Sequence, residues 1–321
     1  MSLFGCKDTK FIPFMQIICV FYLFFIPLQR KSYRLSTFDI LLLTQMIGIF
    51  DSGYGGLTIL NHIRQALPQY QYLYLGDNAR APYGTRSFDV IYEYTLQAVN
   101  YLHEQGCNLI ILACNTASAK ALRTIQQHDI NPDELRVLGV IRPTVEVVPT
   151  RTRTNHIGVL ATPGTVASKS YVIELQKQNP ELTITQQACP MWVPLIESGE
   201  YLHKGADYFV EKYLNELLDQ DPLIDTIILG CTHYPLLQEK IETFLKNNPK
   251  FKNQNYTIIA QGEIVAESLA DYLERHKDIA QRAIEGKIGG CTFLTTESAS
   301  KFSESASMFL EEQIVAKKIE L

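Results

Sequence analysis

Two cysteines lie in closely similar sequence frames, and their thiols are the groups best suited to acid–base chemistry in this chain. Cys114 follows the apolar stretch 109–113, Cys231 follows the apolar stretch 227–230, and hydroxyl and amide side chains come after each. A buried strand that ends in a reactive residue places it at the carboxyl edge of a parallel sheet, where open α/β folds bind ligands. Two thiols delivered in this way suit a reaction that removes a proton from one face of a carbon atom and returns one to the other face.

Each thiol has neighbours that can adjust its reactivity. A free thiol has a pKa of about 8.5 and is a weak base until its surroundings change. Polar residues follow Cys114 where a helix should begin, and the N–H groups of a helix N-terminus stabilise a thiolate or a carboxylate. His233 stands two residues after Cys231, so its imidazole can assist proton movement if the two side chains meet. Asp51 ends the first predicted strand and should reach the same edge of the sheet as Cys114.

Purely structural interpretations stand beside these. A cysteine after a buried strand is often a small packed residue, His233 can be an ordinary helix N-terminal residue, and Asp51-Ser52-Gly53 can be a turn with a helix cap. The turn at 82–84 can likewise be plain. Two cysteines that are each followed at once by polar side chains favour the chemical interpretation. We interpret the other five cysteines as small apolar filler: Cys6, Cys19, Cys107, Cys189 and Cys291.

From Met46 onwards, buried strands alternate with amphipathic helices, which predicts a parallel α/β sheet with right-handed crossovers. The first strands are predicted at 47–50, 72–75, 109–113 and 137–140, with helices up to 67, at 87–104 and at 117–127. The pattern restarts at 156–164, which resembles 46–53, and each opening is followed at similar spacing by a strand that ends in cysteine. We interpret this as an internal duplication.

The duplication predicts two pseudo-symmetric parallel-sheet α/β domains with the active site between them, one cysteine coming from each. The first domain is expected to comprise residues 46–140 plus 262–321, and the second residues 141–261. The C-terminal part has no counterpart in the second unit and is expected to return to the first. It is predicted to contain a helix at 264–276, a last strand within 286–297 and a helical stretch at 298–321.

Residues 1–45 differ from the rest of the chain. Phe11–Leu28 is apolar with basic residues on both sides, but it is short for a membrane span and lacks a small-residue cleavage site. Three interpretations are open: a membrane anchor or uncleaved signal, an amphipathic membrane-surface segment, or upstream sequence translated in error. We favour the third, with the true start at Met46, and expect membrane contact only if residues 11–28 are genuinely translated.

Composition argues against several classes of protein. The formal net charge is −5 and the basic residues are scattered, so no nucleic-acid partner is expected. Seven cysteines without close pairing do not resemble a disulfide framework, and no cysteine–histidine spacing predicts a metal site. The glycines at 53, 55 and 56 lack the spacing of dinucleotide-binding and phosphate-binding loops.

Motifs across most of the chain from Met46 resemble those of the glutamate racemases, cofactor-independent enzymes of bacterial cell-wall synthesis. The resemblance is carried by GIFDSGYGGL at 48–57, Gly-Asp-Asn with Pro-Tyr-Gly in 76–84, ACNTA at 113–117, PMWVPLIESG at 190–199, GCTHYP at 230–235 and QGEIVA at 261–266. Residues 1–45 fall outside the family pattern.

The resemblance implies a two-base interconversion of L- and D-glutamate that needs no cofactor and supplies D-glutamate for peptidoglycan. It implies a cytoplasmic enzyme that acts as a homodimer or a monomer. Cys114 would act on D-glutamate and Cys231 on L-glutamate, from opposite faces of the α-carbon, with Asp51 assisting the first thiol. His233 would assist Cys231, and Glu197 would orient the histidine. The residues implied to hold the substrate's charged groups are Asp51, Ser52, Tyr83, Gly84, Asn115, Thr116, Thr232 and His233.

Three other functions remain open at this point. An aspartate racemase would share the fold and the paired cysteines, but His233, the turn at 82–84 and the pair Asp51-Ser52 favour glutamate. The complete set of acid–base residues argues against a catalytically silent amino-acid sensor. A redox-active dithiol protein is disfavoured because neither Cys114 nor Cys231 lies in a CxxC frame.

Overall fold

The computed structural model describes residues 46–284 and 289–321, whose strands form two parallel sheets. The apolar run Phe11–Leu28 lies outside the described residues, so the interpretations of the N-terminal segment remain predictions. Within the described ranges, no helix combines the length and apolarity needed to cross a membrane.

The first sheet contains six strands. They are β1 Ile47–Asp51, β2 Gln71–Gly76, β3 Leu109–Leu112, β4 Arg136–Gly139, β9 Gly290–Thr295 and β10 Ala316–Lys318. Their order is β10-β9-β2-β1-β3-β4, and every neighbouring pair is parallel. Side chains of β1 enter two apolar cores in alternation, Ile47 and Ile49 on one face and Phe50 on the other. A parallel sheet that is covered on both faces needs such continuous apolar strands.

The second sheet repeats the order of the first. Its strands are β5 His156–Ala161, β6 Thr183–Ala188, β7 Thr226–Gly230 and β8 Thr257–Ile259, arranged β6-β5-β7-β8 with parallel neighbours. The matching part of the first sheet reads β2-β1-β3-β4, so β5 takes the place of β1 and β7 that of β3. The predicted fold class, two pseudo-symmetric parallel-sheet α/β halves, is therefore confirmed.

Helices connect and cover the strands. In chain order they are α1 Gly56–Ala66, α2 Phe88–Glu104, α3 Asn115–Lys120, α4 Leu122–His128, α5 Ile141–Val147, α6 Pro163–Ser168, α7 Ser170–Gln178, α8 Trp192–Glu197, α9 Gly205–Gln220, α10 Gln238–Asn247, α11 Gly262–Arg275, α12 Lys277–Ile284 and α13 Ala299–Leu310. Short 3₁₀ turns lie at Asn78–Arg80, Val148–Thr150, Glu200–Leu202 and Tyr234–Leu237.

Two helix predictions were wrong in extent. The helix expected at 117–127 is divided into α3 and α4 at Ala121, where φ is −112°. The stretch 298–321 is not helical throughout, because α13 ends before Glu311, whose φ is +54°, and β10 follows. Serine side chains stabilise this reversal: Ser307 Oγ accepts the N–H of Ile314, and Ser303 Oγ accepts that of Ala316, both at 3.0 Å.

The chain crosses between the sheets twice, first between β4 and β5 and again between β8 and α11. After the second crossing, α11 packs on α1 and β9 pairs with β2, so the C-terminal part returns to the first sheet. The domain boundaries themselves, 46–140 plus 262–321 and 141–261, remain a prediction.

Candidate active site

The carboxyl ends of β3 and β7 bring the two cysteines of the matching frames to one cavity. Cys114 comes two residues after β3 and Cys231 directly after β7, with exposed fractions of 5% and 6%. Both line a cavity of about 110 Å³. Drug-sized ligand pockets measure roughly 300–1,000 Å³, so this space fits only a small molecule.

Cys114 occupies the N-cap position of α3 and is held as a thiol. Its sulfur lies 3.3 Å from Ser52 Oγ and accepts the N–H of Ala117 at 3.5 Å. Burial raises the pKa of the Cys114 thiol to about 12, and the charge of Asp51 adds to the rise, whereas the bonds from Ser52 and Ala117 oppose it. Without substrate, this side of the cavity therefore holds a proton donor.

Asp51 lies behind the cavity lining, at the end of β1, and is almost fully buried. Its Oδ2 accepts the N–H of Gly53 at 2.8 Å, while Oδ1 has no hydrogen-bond partner among the described residues. Burial raises the pKa of Asp51, and the nearby imidazole of His233 acts in the opposite direction. A buried carboxylate oxygen without a partner is costly, and this cost adds to the effect of burial on Asp51.

Cys231, His233 and Glu197 form a second acid–base group. His233 Nδ1 lies 3.8 Å from Cys231 Sγ, and His233 Nε2 lies 3.1 Å from Glu197 Oε1. Burial opposes a charge on His233, but its hydrogen bonds to Cys231 and Glu197 outweigh that effect and raise its pKa to about 10. The imidazole is therefore a stronger base than usual and is placed to take the thiol proton of Cys231.

A glycine-rich turn of the first half allows the second half to approach closely. A Cβ on Gly55 would lie 2.3 Å from His233 Nδ1 and 2.4 Å from Thr232 Oγ1, so any side chain there would force these two groups to move. Thr58 Oγ1 donates to the carbonyl of Thr232 at 3.0 Å, and this hydrogen bond joins α1 to the turn that follows β7. The absence of a side chain at Gly55 thus sets the position of the imidazole across the cavity.

The opposite rim of the cavity is closed by hydroxyl and backbone contacts. Thr116 Oγ1 lies 3.0 Å from Thr162 Oγ1, and the N–H of Gly164 donates to the carbonyl of Gly84 at 2.7 Å. Thr162 Oγ1 also caps α6 by accepting the N–H of Thr165 at 3.3 Å. The cavity is therefore closed by contacts between the two halves.

The structure brings the predicted substrate residues together, although their roles remain predictions. Six of them line the cavity beside the two cysteines, His233 and Glu197: Ser52, Tyr83, Gly84, Asn115, Thr116 and Thr232. Asp51 is the exception, since it lies behind this lining. In the described part of the chain, no lysine or arginine lines the cavity, so a carboxylate there must rely on hydroxyl, amide and backbone donors.

Sequence reasoning missed several residues of the site. Thr162 lines the cavity, and the repeat could have revealed it, because Thr162 follows β5 as Ser52 follows β1. Cys189 was interpreted as filler; it is buried, but it also lines the cavity, and burial raises the pKa of its thiol. A larger groove of about 590 Å³ lies between α9 and α10, but it presents neither a thiol nor an imidazole.

The chain is similar to known proteins over most of its length. Residues 57–250 match the family model described as Asp/Glu/Hydantoin racemase. The chain is 40% identical over 278 residues to the glutamate racemase of Roseobacter denitrificans, covering 84% of this chain and 97% of that protein.

Solved structures of similar proteins also cover most of the chain. Glutamate racemase isoform RacE1 from Bacillus anthracis superposes with a TM-score of 0.77 at 33% identity, covering 87% of this chain and 98% of that one. Glutamate racemase from Francisella tularensis, solved in complex with D-glutamate, gives a TM-score of 0.75 at 31% identity with the same coverage.

Proposed function

The chain belongs to the Asp/Glu/Hydantoin racemase family, and from that premise we propose that it interconverts L- and D-glutamate with Cys114 and Cys231 as its two acid–base groups. The single observation that carries the proposal is the placement of two buried thiols in one small cavity, each with its own set of polar partners. No cofactor is needed for this chemistry, and the product D-glutamate would serve peptidoglycan synthesis in the cytoplasm.

In the L-to-D direction, His233 first takes the proton of Cys231 and becomes an imidazolium paired with Glu197. The thiolate then removes the α-proton of L-glutamate, and Cys114 delivers its own proton to the opposite face. The raised pKa values of His233 and Cys114 support this division, because they make the imidazole a strong proton acceptor and keep the proton on Cys114 for delivery. In the D-to-L direction the two cysteines exchange roles.

The developing carbanion is the main physical obstacle, since its charge forms beside a carboxylate. A closed cavity with oriented hydroxyl and backbone donors stabilises such charge better than water does. Asp51 lies behind the cavity lining, so its charge would act on the substrate ammonium at a distance and not through a direct contact. The ammonium would offset the charge of Asp51 and so lower the pKa of Cys114, which prepares that thiol to act as the base on D-glutamate.

Glutamate is preferred over aspartate because the relatives described above are glutamate racemases. We propose that the protein acts as a homodimer or a monomer. The test is to incubate the purified chain, without added cofactor, with L-glutamate, D-glutamate or L-aspartate and to separate the enantiomers by chiral chromatography. The double variant Cys114→Ser/Cys231→Ser, purified identically, controls for a contaminating racemase.

Racemisation of both glutamate enantiomers that is absent in the double variant supports the proposal. Racemisation of aspartate alone would move the chain to the sister activity. No racemisation of either amino acid would overturn the proposal and favour an amino-acid sensor or a redox protein.

A further inference from the structure

A network of buried polar side chains behind Asn115 is not used in the mechanism above. Asn115 Nδ2 donates to Gln261 Oε1 at 2.6 Å, and the hydroxyl of Tyr171 donates to Asn115 Oδ1 at 2.8 Å. Gln261 Nε2 closes the triangle by lying 3.0 Å from the same Tyr171 hydroxyl. All three residues are at most 2% exposed. Buried amides that are satisfied in this way have a fixed orientation, because any rotation leaves donors and acceptors unpaired.

Gln261 also joins the two crossings of the chain between the sheets. It lies at the return crossing, directly before α11. Its Nε2 lies 3.1 Å from the carbonyl oxygen of Val140 and 2.9 Å from Thr144 Oγ1, both at the first crossing. The side chain of Gln261 therefore connects the two crossings of the chain. It also contacts the second half through Tyr171 and the first half through Asn115.

Asn115 is the first residue of α3 and directly follows Cys114, the N-cap of that helix. The carboxamide oxygen of Asn115 is bonded to Tyr171, and one of its amide hydrogens is bonded to Gln261. These two bonds fix the position of the first residue of α3. A displacement of this helix start would carry the Cys114 thiol with it. A shift of about 1 Å at a reacting group can cost a factor of about 10² in rate.

We propose that Gln261 is a positioning residue for Cys114, which it holds in line with the substrate through Asn115. The proposal rests on the proposed racemase function. Gln261 touches neither substrate nor thiol in this account and acts only through Asn115. Isotope effects separate its effect on the proton transfer at Cys114 from an effect on substrate binding.

The test compares Gln261→Met with Thr144→Val. Methionine matches glutamine in length but cannot hold the Asn115 amide. Thr144→Val removes a buried hydroxyl of the same network on the side away from Asn115, and the two hydrogens of Gln261 Nε2 keep Val140 and Tyr171 as acceptors. Both variants should lose some thermal stability, and only Gln261→Met should change the chemistry.

Kinetic isotope effects separate positioning from simple destabilisation. The equilibrium constant between enantiomers is one, so kcat/KM must fall by the same factor in both directions; we expect a fall of about tenfold to 100-fold for Gln261→Met. If the step at Cys114 becomes slower, the isotope effect with D-[2-²H]glutamate rises and that with L-[2-²H]glutamate falls. A smaller fraction of folded enzyme changes neither value.

Opposite shifts of the two isotope effects in Gln261→Met, with wild-type values in Thr144→Val, support the proposal. Unchanged isotope effects in a folded Gln261→Met, or equal changes in both variants, overturn it. If Gln261→Met does not fold, Tyr171→Phe tests the same route from its other end, because it releases Asn115 Oδ1 and keeps Gln261. Unchanged isotope effects in Tyr171→Phe would then overturn the inference that the Asn115 amide positions Cys114. A wild type that does not racemise glutamate overturns the proposed function, whereas an active wild type with unaffected variants overturns this inference alone.

Discussion

Gly55→Ala is expected to disable the imidazole of His233 without unfolding the protein. The backbone at Gly55 has φ −59° and ψ −35°, which alanine adopts without strain, so the effect must come from the added methyl group. That methyl would lie 2.3 Å from His233 Nδ1. The imidazole must therefore move away by about 1.1 Å to reach the 3.4 Å of an ordinary contact.

The size of this displacement fixes the expected loss of activity. His233 cannot move by that distance and keep both its 3.8 Å contact to Cys231 Sγ and its 3.1 Å bond to Glu197. A misplacement of about 1 Å costs a factor of about 10² in rate, equivalent to about 2.7 kcal/mol of transition-state stabilisation. We expect kcat/KM to fall by that factor in both directions, as measured by polarimetry of glutamate.

Gly205→Ala is the matched control. Gly205 begins α9, and in the described part of the chain no atom lies within 4 Å of a Cβ placed there. It should keep kcat/KM within about twofold of wild type, as expected of a surface substitution away from the site. A folded Gly55→Ala variant with kcat/KM within threefold of wild type would refute the argument that Gly55 sets the position of His233.

Three further predictions concern the partners of the reacting groups. Glu197→Gln should lower the pKa of His233, move the basic limb of the pH–rate profile to lower pH and reduce kcat/KM by about 10²; an unmoved limb contradicts this. Asp51→Asn should lower the pKa of the Cys114 thiol, seen as faster alkylation by iodoacetamide at a given pH, while racemisation falls at least about tenfold. Tyr83→Phe removes the hydroxyl that donates to the buried carboxylate of Asp77 and should cost about 1–3 kcal/mol of unfolding free energy. Chemical denaturation measures that cost, and an unchanged midpoint would show the bond to be dispensable.

The stability of the protein should also depend on pH through His233. Its pKa is raised from 6.5 to about 10 on folding, so the folded state binds the proton more tightly than the unfolded state. The associated stabilisation is fully present below about pH 6.5 and is lost as pH rises through 10. The unfolding free energy of the wild type should therefore fall more steeply over this interval than that of His233→Gln.

Local sequence was sufficient to predict the two thiols and the strands that carry them. The strand periodicity and the repeated frame predicted sheets whose carboxyl ends place Cys114 and Cys231. The two-residue separation of Cys231 and His233 made their contact possible without determining it. Glu197 was assigned only through the resemblance, since its contact with the imidazole spans 36 residues of chain. Such assignments cannot be derived from periodicity, which reports the face of an element and not its tertiary partner.

Other features depend on contacts that no local pattern encodes. Gly55 was visible only as part of a glycine-rich turn, and the need for a glycine there arises from residues of the second half of the chain. Gln261 lay in a recognised motif, yet its partner Asn115 is 146 residues away. The reversal after α13 was missed because apolar residues at helical spacing predicted a longer helix, whereas serine side chains bind the backbone beyond it.

The most direct test of the two-thiol account is racemisation in D₂O by wild type, Cys114→Ser and Cys231→Ser, with deuterium at the α-carbon followed by mass spectrometry of each separated enantiomer. The account predicts that wild type converts L-glutamate into D-glutamate that carries solvent deuterium from its first turnovers, because a different thiol delivers the new proton. Each single variant should lose racemisation in both directions. Product that retains the substrate's own α-hydrogen, or a single variant that racemises at the wild-type rate, would contradict the account.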